Sequence, residues 1–250
     1  MKRSGAVEIL AVPGIPLVRE NDDLVALIGE GLARGGIVPR GGDVFVLTQK
    51  IVSKAEGRMV DLATVVPSAE AIELAAEVQK DPRLVELILS ESVRVVRARP
   101  GILIVEHRLG FVMANAGIDQ SNVASPDDPQ RALLLPVDPD GSAAILRGRL
   151  SLMFGAPVAV IINDSFGRAW RRGTCSVAIG AADPAGQRHD KSLAHRNISS
   201  SAGRTSSDAG LSGPRHVRPR ATTTGWPSAP CPITSDAAAA ISSACPVMLT

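Results

Sequence analysis

The stretch "VRVVRARPGILIVEHRLGFVMANAGIDQSN", Val93 to Asn122, decides how this chain folds. Three apolar runs, "VRVVRA", "GILIVEH" and "GFVMAN", follow one another across a turn at Pro100 and Gly101 and the short connection "RLG". The short "RLG" connection pairs "GFVMAN" with "ILIVEH", and the turn at Pro100 and Gly101 separates the first two strands. The run closes on "ANAGIDQSN", where glycine precedes the acid and Asp119, Gln120, Ser121 and Asn122 crowd together. A strand that only turned back would use Asn-Gly or Asp-Gly. Oxygen-bearing side chains massed past a strand end point to a ligand instead.

Working outward, "AVEILAV" reads as a first strand closed by the loop "PGIP". Asn21 or Asp22 then caps a helix whose Leu24, Leu27, Ile28 and Leu32 share one face, ended by Gly35 and Gly36. "DVFVLTQKIVSKAEGR" reads as an apolar strand followed by an alternating half. Helices are expected from Ser68 through "AEAIELAAEVQ", after Pro82, and over "DPDGSAAILRGRLSLMFG", with Asp138 and Asp140 capping the last. "PVAVIIND" reads as a buried strand ending on an acid. Paired strands with interspersed helices define an α+β class with mixed or antiparallel sheets, not a doubly wound parallel sheet.

Composition divides the chain. Up to Ala182, Leu, Ile and Val recur in orderly blocks, whereas Asp183 to Thr250 holds eight of them in 68 residues, with no Phe and no Glu. That is too little apolar surface to offset the entropy of ordering the segment. An ordered part, 1–182, and an irregular Ser/Ala/Pro/Arg-rich tail, 183–250, are therefore expected. A formal charge of +2 gives no ground for a nucleic-acid or membrane partner. Cys175, Cys231 and Cys245 lack metal-site spacing, and no apolar run reaches a membrane span, so a cytoplasmic protein is expected.

Two acids stand at expected strand ends, Asp119 and Asp164, each followed by hydroxyl or amide side chains. Magnesium and manganese take oxygen ligands and commonly use one or two carboxylates with substrate phosphates. An Asx turn explains either acid alone; the two together place a metal site beside that reading as its equal. Lys50, Lys54 and Arg58 flank one region, and Arg168, Arg171 and Arg172 follow Asp164 directly. Such cations suit a polyphosphate, although a solvated face accounts for most charge runs. No GxxxxGK[ST] run or dinucleotide fingerprint is present. His107 reads as a surface residue.

Four blocks in order, "QKIVSKAEGR", "ANAGIDQSN", "LPVDPDGSA" and "VIINDSFGRAWRRG", resemble the gamma-glutamyl ligases of coenzyme F420 (deazaflavin) biosynthesis, over about Val7 to Ala182. The resemblance implies a gamma-glutamyl-ligase-like fold and an enzyme joining L-glutamate to the carboxylate of a phospholactyl precursor, with GTP and Mg2+ or Mn2+, and K+ as a further ion. It implies Asp119 and Asp164 as metal ligands, with Ser165 where the family commonly has threonine. It also implies nucleotide contacts from Ile15, Pro16, Leu17, Val18, Gln49, Lys54 and Asn122, and a homodimer. Lys54 and Arg168 are the expected catalytic cations, Arg168 (with Arg171) from its position beside Asp164.

The chain also departs from the family. Thr174, Cys175 and Ser176 stand where many members read Gln-Thr-Asp, and no resemblance is read after "VAIGAAD". A reading-frame shift near Asp183 would produce such a change of composition; a natural extension is the competing account. Two other functions remain open: a metal-dependent nucleotide-binding protein or phosphohydrolase, and an inactive remnant of the ligase.

Overall fold

The structure is a computed structural model and describes residues 7–120, 130–167, 174–184 and 247–249. Among them run strands β1 (Ile9–Ala11), β2 (Val44–Thr48), β3 (Met59–Asp61), β4 (Ser92–Arg99), β5 (Ile102–His107), β6 (Val112–Ala114), β7 (Arg131–Leu133), β8 (Ala159–Gly167), β9 (Thr174–Ala182) and β10 (Val247–Leu249). The helices are α1 (Leu24–Gly35), α2 (Gln49–Ala55), α3 (Ala69–Val78), α4 (Pro82–Ser90) and α5 (Pro139–Phe154). The class is α+β, as the sequence indicates.

The meander forms as its short links require, with β4-β5-β6 antiparallel throughout. A second sheet runs β1-β10-β2-β8-β9 and is mixed, because β2 and β8 are parallel while its other pairs are antiparallel. β3 and β7 make a separate antiparallel pair. The tail contributes one element the composition did not foretell: β10 lies between β1 and β2. Among the described residues no helix is long and apolar enough to cross a membrane.

Two cores result. In the first, Phe45 and Leu47 of β2 and Val160 and Ile162 of β8 are fully buried with Ile28 and Leu32 of α1 and Leu150 of α5. Burying a side chain such as Phe45 is worth about 1.5–3 kcal/mol. The second joins Ala75 and Val78 of α3, Val85 and Ile88 of α4, and Leu103 and Val105 of β5. The chain crosses between them four times, first between Val52 and Leu62 and then between Val105 and Met113, before the two crossings that frame the site. Met113 belongs to the first core and Ala116 and Ile118 to the second, whereas Leu134 belongs to the second and Leu135 to the first.

Local chemistry corrects several expectations. Asp23, not Asn21 or Asp22, caps α1, accepting from the Val25 and Ala26 N–H groups, while Asp22 accepts from the Arg19 N–H. The alternating half after β2 is a helix: Thr48 caps it, and Ile51, Val52 and Ala55 lie on the side that packs on the first core. An i, i+1, i+4 set shares one face of a helix, whereas a strand face takes i, i+2, i+4. Asp138 caps α5 through the Gly141 N–H as expected, but Asp140 accepts from Ala181 N at 3.0 Å and fastens the helix to β9. β8 runs past Asp164 to Gly167 because β9 pairs with it.

Candidate active site

The parallel pair sets the place. β2 and β8 run in register from Val44 with Ala159 to Thr48 with Asn163, so Asp164 lies next to the turn from β2 into α2. Ligands collect at the carboxyl ends of parallel strands, where helices start and side chains from several elements converge. Just before Asp164 the β8–β9 register shifts between Ile162 and Asn163, a bulge that turns the following side chains relative to the rest of the strand.

Asp119 arrives from the other core. "ANAGI" folds into a left-handed turn, with φ of 51° at Asn115, 53° at Ala116 and 68° at Gly117. Alanine in this region costs about 1–2 kcal/mol, and Ala116 is held there by complete burial in the second core. The turn delivers Asp119 to β7, where it exchanges two backbone hydrogen bonds with Leu133, at 3.0 and 2.9 Å.

The acids meet around a lysine. Lys50, in the first turn of α2, forms an ion pair with Asp119. The two side chains are 28% and 20% exposed, so water competes for the pair and it is worth about 1 kcal/mol at most. Burial pushes the Asp164 carboxyl above its ordinary range. The Ser165 N–H, donating to Asp164 Oδ1 at 2.8 Å, opposes that, the charge of Asp119 adds to it, and Lys50 counters it. Asp119, Lys50 and Asp164 thus lie within electrostatic reach of one another. Among the described residues no three acids, histidines or cysteines gather. Two carboxylates without a third protein acid suit a hard divalent ion that keeps positions for water or phosphate.

The other expected residues sit as follows. Lys54 is half-buried in the last turn of α2, four residues from Lys50 and so on the same helix face. Gln49 is 1% exposed, its Oε1 accepting from Ser53 Oγ at 2.9 Å, so it lies within the fold beneath that face. Val18 is a core residue and Ile15 packs against the same core, while Pro16 and Leu17 are exposed, Leu17 to 86%. That loop leads to Asn21, whose N–H donates to Ala55 O at 3.0 Å and brings the segment against the end of α2. Ser165 Oγ lies 3.0 Å from Ser176 Oγ of β9, and strand alternation puts it on the face opposite Asp164. Asn122 and Arg168, with Arg171 and Arg172, lie outside the described residues.

Two readings change. Arg58 does not join the lysines: its guanidinium meets Glu91 at 3.0 Å. His107 is no surface residue but 1% exposed, with Nδ1 accepting from Leu109 N and Nε2 3.5 Å from Glu91 Oε2, an electrostatic contact without a well-formed hydrogen bond. Glu91 also receives Arg108 at 2.5 Å. Burial disfavours the Glu91 carboxylate, yet His107, Arg108 and Arg58 outweigh it and hold the group at about 2. Nothing local in the sequence marks Glu91; only the fold assembles this cluster.

An α+β protein with two carboxylates and a lysine at the end of a parallel strand pair is the class that fold and site define. The family model described as F420-0:Gamma-glutamyl ligase matches residues 14–208. The chain belongs to this family. The match continues beyond Ala182, further than the resemblance read from the sequence. The chain is 44% identical over 176 residues to the coenzyme F420:L-glutamate ligase of Methanothermobacter thermautotrophicus, covering 70% of this chain and 68% of that protein. It is 42% identical over 200 residues to the protein of the same name from Methanopyrus kandleri, covering 78% and 76%. With that of Archaeoglobus fulgidus it shares 42% over 174 residues, covering 70% and 66%.

Proposed function

We propose that this protein is a ligase that forms an amide bond between L-glutamate and the carboxylate of a coenzyme F420 precursor, with GTP as the source of activation. The observation that carries this reading is the meeting of Asp119, Asp164 and Lys50 at the end of the β2–β8 pair, in a chain of the gamma-glutamyl ligase family.

A free carboxylate is a poor acyl donor because hydroxide or oxide would have to leave. In the proposed reaction a precursor carboxylate oxygen attacks the γ-phosphorus of GTP, the bond to the β-phosphate oxygen breaks, and GDP departs. The glutamate amine then attacks the acyl phosphate carbon, inorganic phosphate leaves, and the amine loses a proton. Positioning and charge neutralisation dominate such a transfer. Lys50 and Lys54, on one face of α2, would hold phosphate oxygens, and Arg168 would add a further cation. Asp119 and Asp164 would hold Mg2+ or Mn2+, which supplies charge neutralisation at the phosphates. Binding of K+, nucleotide contacts from Ile15–Val18, Gln49 and Asn122, homodimer assembly and a place in the cytoplasm complete the proposal.

The test is phosphate release from GTP with Mn2+, with and without precursor and L-glutamate. Release that needs both supports the ligase. Release that ignores them overturns it in favour of a phosphohydrolase, and absence of GTP binding marks an inactive remnant. Asp119→Asn and Asp164→Asn are each expected to abolish metal-dependent turnover while circular dichroism shows the parent fold; normal turnover in either refutes the site.

A further inference from the structure

The geometry points to Glu91 as the positioning residue for Asp119, acting through Arg58 on one side and the β5–β6 hairpin on the other. This inference rests on the reading of Asp119 as a metal ligand.

Asp119 is held by two rails. The first is the segment Leu133–Leu135, whose Leu133 exchanges both backbone bonds with Asp119. Arg58 grips the same segment twice, since its carbonyl accepts from Leu134 N at 3.1 Å and its Nε donates to Leu135 O at 2.9 Å. The other arm of that guanidinium donates to Glu91 Oε1 at 3.0 Å. The second rail is the hairpin of β5 and β6, which runs on through the left-handed turn to Asp119. Arg108, at the hairpin, donates its N–H to Glu91 O at 3.1 Å and its guanidinium to Glu91 Oε1. His107 faces the other carboxylate oxygen.

One carboxylate, 6% exposed at the end of α4, therefore fixes both approaches to Asp119 without touching it. A planar guanidinium can serve a carbonyl and a carboxylate at once in a fixed fork, which an ammonium cannot. The arrangement also spans the seam, with Leu134 packed in the second core and Leu135 in the first. If the two cores shift against each other, this network is what keeps Asp119 aligned with Asp164. Partners that orient a metal ligand typically change metal affinity 10–100-fold when removed.

The test uses the full chain and Mn2+ alone, with bound and free ion separated by electron paramagnetic resonance and folding followed by thermal melting. Glu91→Gln and Arg58→Lys are each expected to weaken Mn2+ binding by about tenfold or more, with kcat recovered at saturating Mn2+. A purely structural role would lower the melting temperature and leave the affinity of the folded protein within about twofold of the parent; that result overturns the inference. Should both variants fail to fold, Arg108→Met decides, because Arg108 is half-exposed and its loss removes only the hairpin rail. Weaker Mn2+ binding in this variant upholds the inference and unchanged binding overturns it. Asp119→Asn is the control. If it keeps the parent affinity, the assigned metal site itself is wrong; if it alone loses Mn2+, only the role of Glu91 fails.

Discussion

Replacing Gly180 by alanine tests how the site is braced from behind. Gly180 sits in β9 opposite Ile162, at the point where the register shifts before Asn163 and Asp164. A Cβ built there falls 2.3 Å from the Pro139 carbonyl oxygen and 2.4 Å from its carbon. The obstacle is backbone in the first turn of α5, and that turn is fixed by the Asp138 cap and by Asp140 on Ala181 N. Neither side can rotate away, so helix and strand must separate by roughly 1 Å to restore ordinary contact. Overpacking of this kind costs about 1–3 kcal/mol, and with backbone on both sides the upper figure applies. About 3 kcal/mol corresponds to a fall in Tm of roughly 6–12 °C for a domain of this size. Gly148, inside α5, supplies the control: a Cβ there meets nothing within 4 Å. Gly148→Ala is expected to stabilise by about 0.5–1 kcal/mol through helix propensity. Thermal and urea melts of both variants check the pair. If Gly180→Ala melts within about 2 °C of the parent, the packing of β9 on α5 is not as described.

Stability should depend on Glu91 in acid. Its folded-state pKa lies below the ordinary glutamate value of 4.5, at about 2, so its contribution is complete above 4.5 and is lost as pH falls towards 2. The span corresponds to a contribution on the order of 3 kcal/mol, and urea melts of parent and Glu91→Gln should differ in slope over that window; equal slopes refute it. Lys50→Met is expected to tighten Mn2+ binding by removing a competing cation from Asp119 while GTP turnover falls; weaker binding would make Lys50 a support of the metal site, not its competitor. Deleting residues 247–250 removes the strand between β1 and β2 and is expected to cost about 2–3 kcal/mol in paired backbone hydrogen bonds, read as a lower midpoint in urea. An unchanged midpoint would show that the tail adds nothing to the sheet.

How far the sequence discloses the site depends on whether its signals are local. Asp119 and Asp164 are legible because each carries its own context, an apolar run before it and oxygen-bearing side chains after it. The choice among Lys50, Lys54 and Arg58 is not, because it turns on the geometry of α2. Read as a strand, positions 50, 52 and 54 share one face. Folded as a helix, Lys50 and Lys54 share a face, and Arg58 falls beyond the helix, after Gly57 at φ 67°, where it turns to Glu91. The adjacent apolar pair Ile51 and Val52, with Ala55, and the Thr48 cap were the available signs of a helix. Glu91 and His107 are invisible for another reason. They lie at the ends of α4 and β5, and only the pairing of Ser92 with His107 brings them together.

The tail shows where composition stops being informative. An average over Asp183 to Thr250 finds too little apolar surface for an independent core. A strand added to an existing sheet needs no core of its own, because its neighbours supply the backbone partners and the buried face. Three residues, Val247–Leu249, meet that demand, pairing with β1 on one side and β2 on the other. β2 is also the strand that feeds Lys50 to the site and pairs with the strand carrying Asp164. Through β2 the least patterned part of the chain is joined to the candidate site, so loss of β10 should loosen the β2–β8 pair and that site together.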